Sequence, residues 1–166
     1  ISIVSRGMSL GHTMTEPIER LHETKSHLYE QVAVMLGGRA AEELVFNEMT
    51  TGASDDISKA TQVSRAMVAQ FGMSDLGPIN LDGERRNPYE SSEISPEMAS
   101  KIDTEVKKIM DDSYLIAQKV LKKYRSKLDI IAEGLLKKET IDSEDFVRII
   151  ARKKNAPNSK PPILAV

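Results

Sequence analysis

The chain has 166 residues, a formal net charge of −2 and no cysteine. A chain of this length buries about two-thirds of the surface that its unfolded form exposes, which is enough for one core and makes a single domain the default expectation. The near-neutral charge provides no field for gripping phosphates, so nucleic acid is not an expected partner, and the lack of cysteine excludes disulfides, thiolate metal sites and cysteine nucleophiles.

The first 14 residues alternate with a period of two. Ile1 and Ile3 flank a serine, and a turn at Arg6-Gly7 precedes a second short segment. This pattern predicts a small N-terminal β-hairpin. Its second segment, Gly11 to Met14, would either cover the core or offer its edge to a substrate strand.

The stretch HETKSH, residues 22 to 27, is similar to the zinc-binding HExxH motif but has one residue too many. Histidines four apart on a helix differ by about 40° around the axis, whereas a spacing of five directs His22 and His27 about 140° apart. A single ion could not be reached by both from an unbroken helix. Both are therefore predicted to be surface histidines at the entry to a helix.

A helical apolar pattern begins near Ser26 and predicts a first long helix. Its apolar face comprises Leu28, Val32, Met35, Leu36, Ala40, Leu44 and Val45. Gly37 and Gly38 inside this helix would cost about 1 kcal/mol each relative to alanine. They indicate either the close approach of another backbone or a kink.

The segment TGASDDISKATQVSRAMVAQFG, residues 51–72, predicts a second helix that Gly72 ends. Ser54 or Asp55 is the expected N-cap. The expected buried face comprises Ile57, Ala60, Met67, Val68 and Phe71. Asp55 and Asp56 lie in the first turn, where the helix dipole favours negative charge by roughly 0.3–1 kcal/mol. Capping and dipole compensation are therefore a sufficient local explanation of the two acids.

The remaining residues predict a loop over 72–94, three further helices and a tail. Ser95-Pro96-Glu97 is a strong start signal for a third helix of about eight turns. Its apolar face comprises Ile102, Val106, Ile109, Met110, Ala117, Val120, Leu121 and Tyr124. A fourth helix presents Leu128, Ile131 and Leu135, and a short fifth, capped by Ser143, presents Phe146, Ile149 and Ile150. The fold class is therefore mainly α, with about five helices, and the Pro-rich tail over 153–166 is expected to be flexible.

The chemistry that these elements would support is restricted. The chain has no GxxxxGK[ST] or GxGxxG phosphate loop and no GxSxG nucleophile elbow. From the residues alone, a non-catalytic helical oligomerisation or interaction module is one open interpretation.

Three blocks carry a family resemblance: GGRAAEELVF (residues 37–46), TGASDDISKAT (51–61) and MVAQFGMSDLGPI (67–79). In this order and spacing they resemble the peptidase domain of the FtsH family, the membrane-anchored ATP-dependent zinc metallopeptidases. ISIVSRG and LGHT resemble the strand pair that precedes these blocks, and KETIDSEDF resembles the helical C-terminal portion. The resemblance implies an FtsH-like peptidase domain over residues 1–152.

The resemblance also implies a metal ligand. The family's zinc is held by two histidines of an HExxH helix and by an aspartate in a block that reads SGASND or TGASND. Residue-by-residue matching implies that Asp56 is this ligand, with Asp55 on the position that is often asparagine. A carboxylate at a helix N-terminus suits a zinc ligand at about 2.0–2.2 Å. Asp55 and Glu43 are the rival acids, the latter with a salt-bridging or supporting role as its alternative.

Two departures from the family pattern concern loops, and a third concerns the metal. The GMSDLGP turn is shorter by one residue, and Asn47 stands where glycine is common. The HExxH helix, which in the family lies just upstream of ISIVSRG, is not in this chain. We therefore expect a fragment of a longer parent that is soluble and inactive alone, since one aspartate cannot hold a catalytic zinc.

For the complete parent, the resemblance implies a zinc metalloendopeptidase that degrades unfolded or membrane proteins. Zinc would polarise the substrate carbonyl and activate water, with the HExxH glutamate as general base. An ATPase domain that uses ATP and Mg²⁺ would feed polypeptide to the site. The family also implies a homo-hexamer, a membrane anchor and a peptidase domain facing the bacterial cytoplasm or an organelle interior.

Overall fold

The computed structural model describes residues 1–5, 11–14, 21–81 and 94–151. These residues form six α-helices and one short 3-10 helix. The helices are α1 (Lys25–Met35), α2 (Gly37–Phe46), α3 (Ser54–Ala69), α4 (Pro96–Lys123), α5 (Arg125–Lys138) and α6 (Ser143–Ala151), and the 3-10 helix spans Thr51–Ala53. The predicted mainly α class is confirmed. Among the described helices, none has the length and apolar character that a membrane crossing requires.

The chain divides into two compact units, one of residues 17–125 and one of residues 1–16 and 126–166. In the 17–125 unit, α1, α2 and α3 each pack against α4. The buried face of α4 comprises Ile102, Val106, Ile109, Ser113 and Ala117, spaced three or four residues apart as a single helical stripe requires. The long helix α4 is therefore the common support of this unit.

The sequence predicted α4 well at its start and less well at its end. The Ser95 hydroxyl accepts a hydrogen bond from the Met98 amide at 3.2 Å, and Pro96 occupies the first helical position. The 28 residues of α4 confirm a helix of about eight turns. Val120 and Tyr124, predicted on the apolar face, are instead 49% and 42% exposed. The apolar pattern therefore continues into the last turn of α4, where its side chains are no longer buried.

The predicted first long helix is two helices, α1 and α2, that meet at Leu36. Leu36 has φ −80° and ψ −5°, yet its amide donates to the Val32 carbonyl and its carbonyl accepts from the Ala40 amide, both at 3.0 Å. The hydrogen-bond ladder thus continues through the bend. Outside its own helix, a Cβ added at Gly37 or Gly38 would meet no atom of the described residues within 4 Å, so the close approach of another backbone is wrong, and the break between α1 and α2 agrees with the alternative of a kink.

Helix α3 ends at Ala69, three residues before Gly72. Ala60, Met67 and Val68 of its predicted face are fully buried, whereas Phe71 lies beyond the helix and is 52% exposed. Gly72 has φ +60°, and the chain then turns back so that the Leu81 amide donates to the Ala69 carbonyl at 2.7 Å. The predicted loop continues through residues 82–93, which lie outside the described residues.

In the other unit, Ser2 joins two segments by isolated antiparallel bridges, one to His12 and one to Thr140. The Ser2 amide donates to the His12 carbonyl at 2.9 Å, and the His12 amide donates back at 2.8 Å. Ile1 and Ile141 exchange a further pair of hydrogen bonds, each 2.9 Å long. These bridges are not strands, and the turn of the predicted hairpin falls on residues 6–10, outside the described residues. The hairpin, and strand addition at its edge, stay predictions.

Helix α6 is capped by a different residue from the one predicted. The Asp145 amide donates to the Asp142 carboxylate at 2.8 Å, so Asp142 is the N-cap and Ser143 is already inside the helix. Phe146 and Ile149 are half-buried as expected of an inward face, whereas Ile150 is 42% exposed. The predicted tail, residues 153–166, lies outside the described residues.

Candidate functional site

The two acids of the candidate site follow a 3-10 helix that leads directly into α3. Thr50 is extended, and its hydroxyl accepts a hydrogen bond from the Gly52 amide at 3.2 Å. The Ser54 amide then donates to the Thr51 carbonyl, and α3 begins at Ser54. The prediction that Ser54 or Asp55 is the N-cap is wrong, because Thr50 already closes the turn before the helix. Ala53 occupies the cap position without a side-chain bond.

Asp55 and Asp56 both lie in the first turn of α3 and both are exposed, but their surroundings differ. The Asp55 carboxylate forms an ion pair with Lys59 at 2.7 Å, one helical turn further on. This hydrogen bond is the first cause of a raised pKa of the Lys59 ammonium. The Asp56 carboxylate forms no hydrogen bond or ion pair with any residue that the structure describes. Asp56 is therefore the acid that is available to a ligand.

Glu43, the rival acid on α2, is engaged by α4. Its Oε2 accepts hydrogen bonds from the Tyr114 hydroxyl at 2.6 Å and from the Gln118 amide at 2.8 Å. These bonds, that of Tyr114 first, lower the pKa of the Glu43 carboxyl. Burial, and then the bond to the Glu43 carboxylate, raises the pKa of Tyr114. Glu43 thus joins α2 to α4 through neutral donors, and no salt bridge of Glu43 is present among the described residues.

Glu42, the neighbouring acid, binds the loop that precedes α3. Its Oε1 accepts from the Thr50 hydroxyl at 2.7 Å and its Oε2 accepts from the Thr50 amide at 3.2 Å. Arg39 donates to the Thr50 carbonyl at 3.2 Å. Arg39, Glu42 and Thr50 were not among the residues predicted to be functional. The available signal was that Arg39 and Glu42, three residues apart, share one side of α2.

The histidines do not form a metal group in the described residues. His22 precedes α1 and is exposed, whereas His27 lies in its first turn and is half-buried. The ring of His27 lies 3.4 Å from the Glu23 carboxylate and 3.5 Å from that of Glu30. His27 is thus a helix-start residue as predicted, though more covered than a surface position. No group of three His, Cys, Asp or Glu side chains comes together in these ranges.

The donor chemistry of Asp56 fits one ligand position of a zinc site. Zinc accepts carboxylate oxygen, and a catalytic site uses three protein ligands together with an open position. An exposed carboxylate in the first turn of a helix of 16 residues, with no hydrogen bond to the part of the chain that the structure describes, could provide one of them. The other ligands have to come from outside the residues described here.

The chain matches the family model described as Peptidase family M41 over residues 1–149. It is 45% identical to the ATP-dependent zinc metalloprotease FtsH of Pseudothermotoga lettingae over 159 residues, which are 90% of this chain and 25% of that protein. Identity to the FtsH of Thermotoga maritima is 44%, over 91% of this chain and 26% of that protein. The FtsH of Acidobacterium capsulatum is 39% identical over 97% of this chain and 26% of its own length. The chain thus spans about a quarter of the length of these relatives.

Proposed function

Because the chain belongs to peptidase family M41, we propose that it is part of the peptidase portion of an ATP-dependent zinc metalloprotease. The names of its relatives support this activity, and the 38% to 45% identity extends over nine-tenths or more of the chain. The reaction would be hydrolysis of peptide bonds in polypeptide substrates. Zinc, when bound, would polarise the scissile carbonyl and activate a water molecule.

The proposal assigns one zinc ligand to this chain, the carboxylate of Asp56. The observation that carries it is the difference between the two adjacent acids, because Asp55 forms an ion pair with Lys59 at 2.7 Å whereas Asp56 forms no hydrogen bond or close ion pair among the described residues. A ligand carboxylate must be deprotonated and uncommitted to bind the metal. The dipole of α3 favours a negative charge in that first turn.

The proposal extends to the parts of the protein that would accompany this chain. The relatives are about four times as long as the matched segment, which leaves room for the ATP-dependent part that their names describe. We propose that this part uses ATP with Mg²⁺, that the protein is anchored to a membrane, and that it assembles as a homo-hexamer. The support for the anchor and the hexamer is the family resemblance.

The test is made on the full-length gene product that contains this chain, purified with its metal. We expect about one zinc per subunit, and we expect Asp56→Asn to weaken zinc binding at least tenfold in competition with a chelator. The same variant should lose cleavage of an unfolded protein substrate. Asp55→Asn is the matched control, since it changes the adjacent carboxylate and should leave zinc affinity within about twofold of the wild type.

Wild-type zinc affinity in Asp56→Asn would remove Asp56 from the metal site. A full-length protein that binds no zinc and cleaves nothing would overturn the proposed activity as a whole. In that case the alternative, a helical oligomerisation or interaction module whose two acids only compensate the dipole of α3, would be favoured.

A further inference from the structure

Thr50 is held on three sides by two residues of α2. Glu42 accepts hydrogen bonds from the Thr50 amide and from its hydroxyl, and Arg39 donates to the Thr50 carbonyl. The amide, the carbonyl and the hydroxyl hydrogen of Thr50 are thus all bonded to side chains of α2. The hydroxyl oxygen also accepts a hydrogen bond from the Gly52 amide. We call the three residues Arg39, Glu42 and Thr50 the Thr50 clamp.

Five residues, 51–55, connect the Thr50 clamp to Asp56, and all of them lie in the 3-10 helix or in the first turn of α3. The bond from Gly52 to Thr50 opens the 3-10 helix, and the bond from Ser54 to Thr51 closes it into α3. Ala53, between them, is buried. The orientation of the first turn of α3 therefore follows from the position of Thr50 on α2.

The backbone matters here because the Asp56 carboxylate has no hydrogen-bonding partner among the described residues to orient it. A ligand that no neighbouring side chain positions must be placed by its main chain, and a functional site tolerates only about 0.5 Å of displacement. Metal-binding carboxylates are commonly hydrogen-bonded by supporting residues. Backbone support would take over that role in this chain.

We propose that Glu42, through Thr50, is a positioning residue for the zinc ligand Asp56. This inference rests on the proposed function of Asp56. Glu42 does not touch the metal; it fixes the turn from which the ligand helix starts. Arg39 completes the arrangement by holding the Thr50 carbonyl.

The charge state and packing of the Thr50 clamp support this role. Hydrogen bonds from the Thr50 hydroxyl and then from its amide lower the pKa of Glu42, and the nearby Arg39 charge adds to the effect. Bonds to a charged carboxylate are stronger than neutral ones. A Cβ added at Gly52 would lie 3.3 Å from the Thr50 hydroxyl oxygen, so the turn fits closely over the clamp.

The experiment measures zinc affinity by chelator competition, together with melting temperature, in the full-length gene product. Thr50→Val keeps the branched shape but removes the hydroxyl, and Thr50→Ser keeps the hydroxyl. We expect Thr50→Val and Glu42→Gln to weaken zinc binding about tenfold, the lower end for residues that support a ligand. Thr50→Ser should stay within about threefold of the wild type. Glu43→Gln is the matched control: it alters the adjacent glutamate, which binds α4, and should lower the melting temperature without changing zinc affinity.

Three outcomes distinguish the inference from the function on which it rests. Wild-type affinity in Thr50→Val and Glu42→Gln, with affinity lost in Asp56→Asn, would overturn the positioning role alone. Zinc affinity that falls in Glu43→Gln as much as in Glu42→Gln would also overturn it, because general destabilisation would then suffice. Wild-type affinity in Asp56→Asn would overturn the proposed ligand and the inference with it.

Discussion

Replacing Gly72 with alanine should destabilise the 17–125 unit substantially. Gly72 follows α3 with φ +60°, a conformation that L-residues with a Cβ adopt at a cost. A Cβ at this position would lie 2.8 Å from the Pro78 Cα and 3.2 Å from the Gly77 carbonyl oxygen. Both atoms belong to the backbone, so a side-chain rotation cannot relieve the contact.

Two unfavourable contributions and one favourable contribution determine the change in the free energy of unfolding of Gly72→Ala. A left-handed alanine costs roughly 1–2 kcal/mol, and an overpacked contact that the backbone must absorb costs about 1–3 kcal/mol. Alanine also lowers the conformational entropy of the unfolded chain, which stabilises the folded state by about 0.4–1 kcal/mol. The free energy of unfolding should therefore fall by roughly 1–5 kcal/mol, which lowers the melting temperature by about 4–22 °C for a unit that spans residues 17–125.

Gly77 offers the matched control within the same turn. It also has a positive φ, +90°, but a Cβ added there would meet no atom within 4 Å. Gly77→Ala should therefore carry the conformational cost without the steric one. In urea unfolding at neutral pH, we expect Gly72→Ala to lose at least about 1 kcal/mol more than Gly77→Ala. Equal losses would refute the steric argument, and wild-type stability in both would refute the conformational one as well.

Two further predictions concern a side chain that bonds to α4 and a side chain of α4 itself. Hydrogen bonds from Tyr114 and then Gln118 lower the pKa of Glu43 below its ordinary 4.5, so its contribution to stability is present above that pH and is lost as pH falls. Between about pH 5 and 3, the free energy of unfolding measured in urea should fall less steeply with decreasing pH in Glu43→Gln than in the wild type. The same pH dependence in both proteins would contradict this prediction. Among the residues that the structure describes, the buried hydroxyl of Ser113 has no hydrogen-bond partner. Ser113→Ala should therefore raise the free energy of unfolding by about 1 kcal/mol, and a lower melting temperature in calorimetry would show that the hydroxyl is satisfied.

The sequence predicted elements well where local signals and burial agree. The start of α4 carries a serine cap and a proline at the first helical position, and its apolar stripe continues for several turns. The bend at Leu36 was harder to locate, because the hydrogen-bond ladder and the apolar stripe both continue through it. Gly37 and Gly38 marked the place, but glycine alone does not separate a close approach from a kink.

The helix starts show why strong capping residues can mislead. Ser54 and Asp55 are good N-caps by type, yet Thr50 closes the preceding turn first, and α3 begins at Ser54, one or two residues earlier than expected. At α6, Asp142 takes the role predicted for Ser143. Which residue caps a helix depends on the path of the backbone before the helix. Tertiary contacts set that path, so the type of the residue alone does not decide the cap.

The candidate site was predictable only in part, for the same reason. Asp56 follows from its match to a motif, whereas the roles of Glu42 and Glu43 depend on which elements α2 contacts. Adjacent residues on a helix point about 100° apart. Glu42 accordingly meets Thr50 in the following loop, and Glu43 meets Tyr114 on α4.

This division makes the two glutamates separable by experiment. The contact of Glu42 spans eight residues and is made within one stretch of chain, so it persists as long as α2 and the turn are folded. The contact of Glu43 spans 71 residues and joins two helices, so its loss acts on the stability of the whole unit. Once the molecule is folded, the geometry at Asp56 should therefore depend on Glu42 far more than on Glu43. A destabilised but correctly folded Glu43→Gln would then bind zinc as the wild type does, whereas a stable Glu42→Gln would not.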